Sequence, residues 1–298
     1  MEVKISPDDF DPFEQGLEQV FNILHDVLEE TRSKSIQGGC YMFNHHFSPF
    51  LENLGLVNSF LNARKAFEER CKHPFELIIH ISTQKGDFPL ERRYNQVFGD
   101  ELRSSSIVRA NSLVIHPPED PSDVSGELVG LLSSRAFIEP LSRTSITLSI
   151  ENGLHGEFFG SLNNMLNLFH DLSDKLNESG NKTLIPRFKF CLDTGHLLLW
   201  RYHQAKGTSH ADKEIDRVLP EYVKNTSVYH VKTCNSGKEY IVPHAKEEEI
   251  FKEHSNKVID WLEISKKIET PYPKLFCMEI PKRNFILNEI IEFGRNFM

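Results

Sequence analysis

Leu148-Ser149-Ile150-Glu151 ends a short apolar run on a carboxylate, and five other runs in the chain also end on a metal-binding side chain. They are Leu77-Ile78-Ile79-His80, Leu113-Val114-Ile115-His116, Cys191-Leu192-Asp193, Val228-Tyr229-His230 and Cys277-Met278-Glu279. A short run rich in Val, Ile and Leu reads as a strand buried on both faces. Parallel strands send their C-terminal ends to one side of a sheet, so one imidazole or carboxylate per strand end converges on one point. The pattern predicts a parallel barrel with a metal site at its rim.

Outward from these runs, strand-like and helix-like segments alternate along the chain. Strands are expected at 2–5, 38–44, 75–82, 112–116, 145–151, 188–193, 227–233 and 275–280, with helical stretches such as 13–32, 49–71, 124–138, 160–178 and 259–269 between them. Within 160–178, Leu162, Met165, Leu166, Phe169, Leu172 and Leu176 recur at helical spacing and mark one buried face. The alternation predicts right-handed β-α crossovers in an α/β protein, and eight units predict a closed (β/α)8 TIM barrel with the metal site at the C-terminal end of the strands. The first two strands carry the weakest signal, because VKI is short and GGCYMFNHH also reads as a loop.

No internal repeat or low-complexity linker divides the chain, so residues 1–298 are expected to form one domain. The long connections 83–111 and 233–257 follow strands, which in a barrel places them on the substrate face. The acidic run 246–249 reads as the start of a solvated helix rather than as an acidic site.

With 298 residues and 39% hydrophobic composition, the chain can bury a large core. Its net charge of -9 gives no electrostatic support to a broad nucleic-acid footprint, although a local basic rim is compatible with it. A small-molecule or phosphoester substrate is therefore expected, and no protein partner can be inferred. The five cysteines lack CxxC spacing, and Cys191, Cys234 and Cys277 lie in or just after expected strands. They read as buried free thiols in a reducing compartment. The acidic N-terminus lacks an apolar signal core, and no apolar span reaches the roughly 18 residues a membrane helix needs. A cytoplasmic protein with no membrane partner is expected.

Glu151, Asp193, His230 and Glu279 supply oxygen and nitrogen ligands, and the imidazole tilts the choice of ion to zinc first, then manganese or cobalt, ahead of magnesium. A single acid at a strand end is often a helix cap and a single histidine often structural. The coincidence of six such ends carries the metal-binding expectation. In Asp193-Thr194-Gly195-His196, His196 is placed to point back at the same centre; alternatively Asp193 or Thr194 caps a helix and His196 packs beneath Trp200. Turn chemistry accounts for Asn152-Gly153 but not for Glu151 before it. The adjacent His45 and His46 reach the pocket or cap the next helix.

The ordered segments IIH at 78–80, VIHP at 114–117, IEN at 150–152, LDTGH at 192–196, YHVK at 229–232, PHAKEEE at 243–249, IDWLEI at 259–264 and MEI at 278–280 resemble the xylose-isomerase-like barrels, and within them the endonuclease IV (AP endonuclease family 2) branch. The resemblance implies up to three metals. His80, His116 and Glu151 would hold the first; Glu151 as a bridge, Asp193, His230 and Glu279 the second; His196 with His244 or His254 the third. The branch pattern has an Asp two residues before the loop His, where this chain has Val242 before His244 and Lys252 before His254. The glycine-rich stretch after the loop His is replaced by 245–249, and the small-residue run after IEN reads Gly153-Leu154-His155-Gly156-Glu157. Those segments touch substrate in the family, so a substrate other than duplex DNA is expected.

Three functions fit the residues. The first is a metal-dependent phosphoester hydrolase, in which cations bridged by Glu151 activate water and stabilise the attacking and leaving oxygens; Lys282 and Arg283 are candidate phosphate contacts, His254 a further substrate contact, and surface solubility is the blander role for the two cations. The second is a one-metal sugar or keto-acid isomerase or epimerase, with Glu151 and Glu279 moving a proton through an enediolate. The third is a metal-stabilised protein without turnover. The hydrolase is placed first because a one-metal site has no need of His80 and His116.

Overall fold

The computed structural model describes residues 2–5, 37–43, 54–72, 74–81, 101–117, 125–153, 158–204, 206–232, 245–272 and 274–279. The eight expected strands are present as β1 (Glu2–Ile5), β2 (Gln37–Phe43), β3 (Glu76–His80), β4 (Ser112–Ile115), β5 (Thr147–Glu151), β6 (Phe188–Asp193), β7 (Thr226–Lys232) and β8 (Leu275–Glu279). They form one curled sheet in the order of the sequence, each paired in parallel with the next. The first and last strands of the sheet, β1 and β8, lie against each other.

The strands connect through α1 (Leu54–Cys71), α2 (Ser125–Leu132), α3 (Arg135–Ser142), α4 (Leu162–Glu178), α5 (Thr194–Tyr202), α6 (Thr208–Lys224) and α7 (Ala245–Lys267), with a further helical stretch at 101–107. The helix expected at 124–138 is two helices. Ser133 Oγ donates back to Val129 O at 2.7 Å, and Ser134 takes extended backbone angles, which stops α2 and starts α3. The helix expected at 259–269 begins much earlier, at Ala245, so the run 246–249 does open a helix. The expected helix 13–32 and the pair His45 and His46 lie outside the described residues.

Alternation along each strand divides the apolar residues between two cores. Leu77, Ile79, Leu113, Ile115, Leu148 and Ile150 face the helices and join Leu162, Met165, Leu172, Ile215 and Leu219 in the main cluster. Their neighbours Ile78, Val114, Cys191, Val228, Leu275 and Cys277 form a separate, smaller cluster. A sheet apolar on both faces, with helices on one side and its own interior on the other, is what continuous rather than alternating apolar runs specify. Arg64 anchors α1 beneath this sheet: its guanidinium donates to Val108 O, Arg109 O and Phe75 O at 3.1, 2.8 and 2.6 Å, and to Glu68 Oε1 at 3.1 Å. Among the described residues, no helix is long and apolar enough to cross a membrane.

Candidate metal centre

Six of the residues singled out in the sequence come together. His80 and Glu151 are the last residues of β3 and β5, and Asp193 is the last of β6. His116 stands one residue beyond β4, which ends at Ile115 rather than at His116. His196 lies in the first turn of α5. His230 is inside β7, which continues for two more residues to Lys232.

Glu151 is at the centre of the group. Its Oε2 is 3.0 Å from His80 Nε2 and 3.4 Å from His116 Nε2, while its Oε1 is 3.2 Å from His230 Nδ1 and 3.5 Å from His196 Nδ1. Each carboxylate oxygen thus faces two imidazoles. The His80 and His116 Nε2 atoms are themselves 3.1 Å apart. Glu151 exposes only 1% of its surface, whereas the His116 side chain exposes 26%, so the group opens to solvent on the His116 side.

Asp193 combines the two roles its position allowed. Its Oδ1 accepts from His196 N at 2.8 Å and caps α5, while Oδ2 lies 3.7 Å from His196 Nε2 and 4.0 Å from His230 Nδ1. His196 Nδ1 meets the carbonyl oxygen of Asn152 at 2.9 Å. A carbonyl only accepts, so Nδ1 carries a proton and donates there, and Nε2 is the nitrogen turned to Asp193. Capping and metal ligation are compatible here because a carboxylate has two oxygens.

Two residues of the site carried no such signal in the sequence. Asn152 reads as turn chemistry, yet its fully buried amide clamps β5 to β6: Oδ1 accepts from Asp193 N at 2.7 Å and Nδ2 donates to Asp193 O at 3.1 Å. Cys191 is a buried free thiol as expected, and it lies beside Glu151 and His230. Its place follows from the register of β5 with β6, which pairs Glu151 with Cys191.

The electrostatics set a His116 ring that burial disfavours as a cation beside a Glu151 carboxyl that is held ionised. Burial pushes the His116 ring down to about 4, against the opposing pull of Glu151. Burial alone would raise Glu151, but His116, His230 and the hydrogen bonds from His230 and His80 outweigh it and hold the carboxyl well below its usual range. Burial raises the Cys191 thiol. Among the described residues the ion-pair partners of Glu151 are all histidines. Buried carboxylates framed by imidazole nitrogens are a donor set that fits a divalent cation, since an ionised acid without a compensating charge is costly to bury. Three groups can hold one: His80, His116 and Glu151; Glu151, Asp193 and His196; and Glu151, Cys191 and His230.

The remaining candidates are placed less fully. Glu279 is the last residue of β8, and His254 is in α7; the side chains of both lie outside the described residues. His244, Lys282 and Arg283 lie outside them altogether.

No protein-family model matches the chain, and no curated protein matches it. Solved structures do, over nearly their full length. A D-allulose 3-epimerase from Methylomonas sp. is 10% identical with a TM-score of 0.56, covering 100% of this chain and 98% of that one. A xylose isomerase domain protein from Alicyclobacillus acidocaldarius subsp. acidocaldarius is 13% identical with a TM-score of 0.54, covering 100% and 98%. The protein AsfvAP, in its structure AsfvAP:AG, is 10% identical with a TM-score of 0.56, covering 100% and 98%. The structural neighbours are xylose isomerase-like TIM-barrel proteins, and at these identities the likeness is one of fold.

Proposed function

We propose that this protein is a divalent-metal-dependent phosphoester hydrolase whose sheet closes into a single (β/α)8 barrel over residues 1–298. The carrying observation is the double facing of Glu151, with His80 and His116 on one oxygen and His230 on the other, while Asp193 and His196 form a further group that shares Glu151. A carboxylate so placed suits a bridge between two cations, and a one-metal centre has no use for the first pair. The mutual approach of β1 and β8 supports closure.

Bound cations, zinc first, with cobalt or manganese as alternatives, supply Lewis acidity and a nucleophile from water at neutral pH. The chain's own residues then do the positioning. His80 and His116 fix one side of Glu151, Asp193 and His230 define the other, and Glu279 at the end of β8 would complete the second set. His196, its tautomer held by Asn152 O, orients toward Asp193, and with His244 it would form a third position. Lys282, Arg283 and His254 are the candidate contacts to substrate. The net charge of -9 and the rewritten 153–157 and 245–249 segments favour a phosphoester other than duplex DNA, in the cytoplasm.

A sugar isomerase or epimerase is the second reading, favoured by neighbours such as the Methylomonas D-allulose 3-epimerase. Metal content separates the two: two or more tightly bound ions per chain belong with the hydrolase, one with the isomerase. Metal-dependent cleavage in a phosphomonoester and phosphodiester panel, abolished by Glu151→Gln and Glu279→Gln, is the expected result. Deuterium incorporation next to the carbonyl of a ketose, with no phosphoester cut, would overturn it. Robust cleavage of an abasic-site duplex would show that the loop departures do not exclude DNA.

A further inference from the structure

Cys191 lies beside the carboxylate on which the histidines converge, and we propose that Glu151, Cys191 and His230 form a sulfur-bearing metal position at the floor of the centre, taking thiophilic divalent cations such as zinc, cobalt or cadmium. This inference rests on the metal-binding reading of the centre and adds a ligand that the sets built on histidine and carboxylate lack.

One ligand atom from each of the three residues lies within 4.8 Å of the other two, and all three residues are buried. The register explains why. Cys191 is the Cα partner of Glu151 on β5 and of Val228 on β7, two residues before His230. Cys191 belongs to the small inner cluster with Ile78, Val114 and Val228. A thiol serving only as packing needs no carboxylate and no imidazole beside it.

The spacing suits a small ion. Zinc bonds of about 2.0–2.3 Å to nitrogen, oxygen and sulfur imply tetrahedral ligand-to-ligand edges of about 3.4–3.6 Å. The edge from Glu151 Oε1 to His230 Nδ1 is already 3.2 Å. Closing the remaining edges from their upper bound of 4.8 Å requires movement of about 1 Å. On ligation the S–H bond breaks, a metal–sulfur bond forms and the proton leaves to solvent. Sulfur selects softer cations, so this position would discriminate against magnesium and manganese, which the nitrogen and oxygen sets accept.

Cobalt(II) titration of the full chain tests the assignment without any assay of activity. Visible ligand-field bands report bound cobalt whatever its ligands, and a near-ultraviolet sulfur-to-cobalt charge-transfer band reports the thiolate. The wild-type protein is expected to show both. Cys191→Ser should lose the charge-transfer band and keep ligand-field bands, while a variant with Cys40, Cys71, Cys234 and Cys277 all changed to Ser should keep both. Ligand-field bands without charge transfer in the wild type, or charge transfer that survives Cys191→Ser, overturn the proposal and leave the wider centre standing. Absence of every cobalt band overturns both. If Cys191→Ser does not fold, the four-serine variant decides: its charge-transfer band supports Cys191 and its absence with cobalt bound excludes it.

Discussion

Removing the Asn152 side chain should destabilise the metal-free protein by about 2–4 kcal/mol and loosen Asp193 at the same time. The magnitude follows from two hydrogen bonds to a single buried residue, one from Asp193 N at 2.7 Å and one to Asp193 O at 3.1 Å. Asn152→Ala leaves both backbone groups without these partners, and a buried polar group left unmade costs about 1–3 kcal/mol. A water entering the vacated space would return part of that. The backbone carbonyl of Asn152, which holds His196 Nδ1, survives the substitution. Any weakening of metal binding should therefore come through Asp193 rather than through the His196 tautomer. Asn152→Asp keeps the shape but sets an acceptor against Asp193 O and a second negative charge near Glu151, so it should cost at least as much as alanine at neutral pH.

Urea unfolding in chelator, for wild type and both variants, measures the stability difference; cobalt titration of the same proteins measures the effect on the centre. A change below about 0.5 kcal/mol for Asn152→Ala, the range of an ordinary surface substitution, would refute the clamp. So would Asn152→Asp proving more stable than Asn152→Ala at pH 7.

Three other outcomes are expected. Glu151→Gln should lower bound metal, measured by elemental analysis, more than His80→Ala does, because the carboxylate is shared by every candidate group and His80 belongs to one; equal losses would count against a bridge. Arg64→Ala should cost about 2–4 kcal/mol in urea unfolding, since three backbone carbonyls lose a charged donor, and a loss within experimental error would make the anchor dispensable. The chelated protein should lose stability as pH falls from about 6.5 toward 4, at up to about 1.4 kcal/mol per pH unit: His116 is depressed to about 4, so across that window the unfolded chain binds more protons than the folded one. Glu151, held below its usual range, adds a further loss at lower pH as its own folded value is crossed. Denaturation midpoints against pH check this, and His116→Asn should flatten the upper part of the slope.

Strands β3 to β8 were legible because each holds a short apolar run that meets a polar side chain near its end, and a strand buried on both faces must look like that. The helices were legible in proportion to their polar face. In α4, six apolar residues recur at helical spacing and every one of them is buried. Thr194 to Arg201 in α5 are all buried, so no polar stripe marks that helix in the sequence. In α6, Pro220 interrupts the pattern although the helix runs on to Lys224. At the site, the individual candidate ligands announced themselves by residue type. Asn152 and Cys191 did not, because their importance lies in which neighbour the register brings them, and register is a property of two strands.

Register also explains how side chains from separate strands reach one point. Relative to the hydrogen-bonded level of Glu151, His116 is level by continuation of the Ile115–Ile150 pairing, and His80 is two residues lower through its pairing with Val114. Asp193 and His230 are two residues higher, and Glu279 is four higher. The climb from His80 to Glu279 is therefore six residues over five strand-to-strand steps. Along a flat sheet that offset would spread the group over about 20 Å, at about 3.3 Å per residue. In a barrel of eight strands with a shear of 8, a line perpendicular to the axis drifts by about one residue per strand, or about five over the same steps. The stagger that scatters these residues on a flat sheet is thus close to the stagger that gathers them into a ring on a tilted, curled one. Strand ends track the rim of such a barrel rather than any hydrogen-bonded level, so reading the last residue of each apolar run finds a ring. His230 fits the ring while β7 runs on to Lys232, since its level is set by Asp193 beside it and not by where its own strand stops.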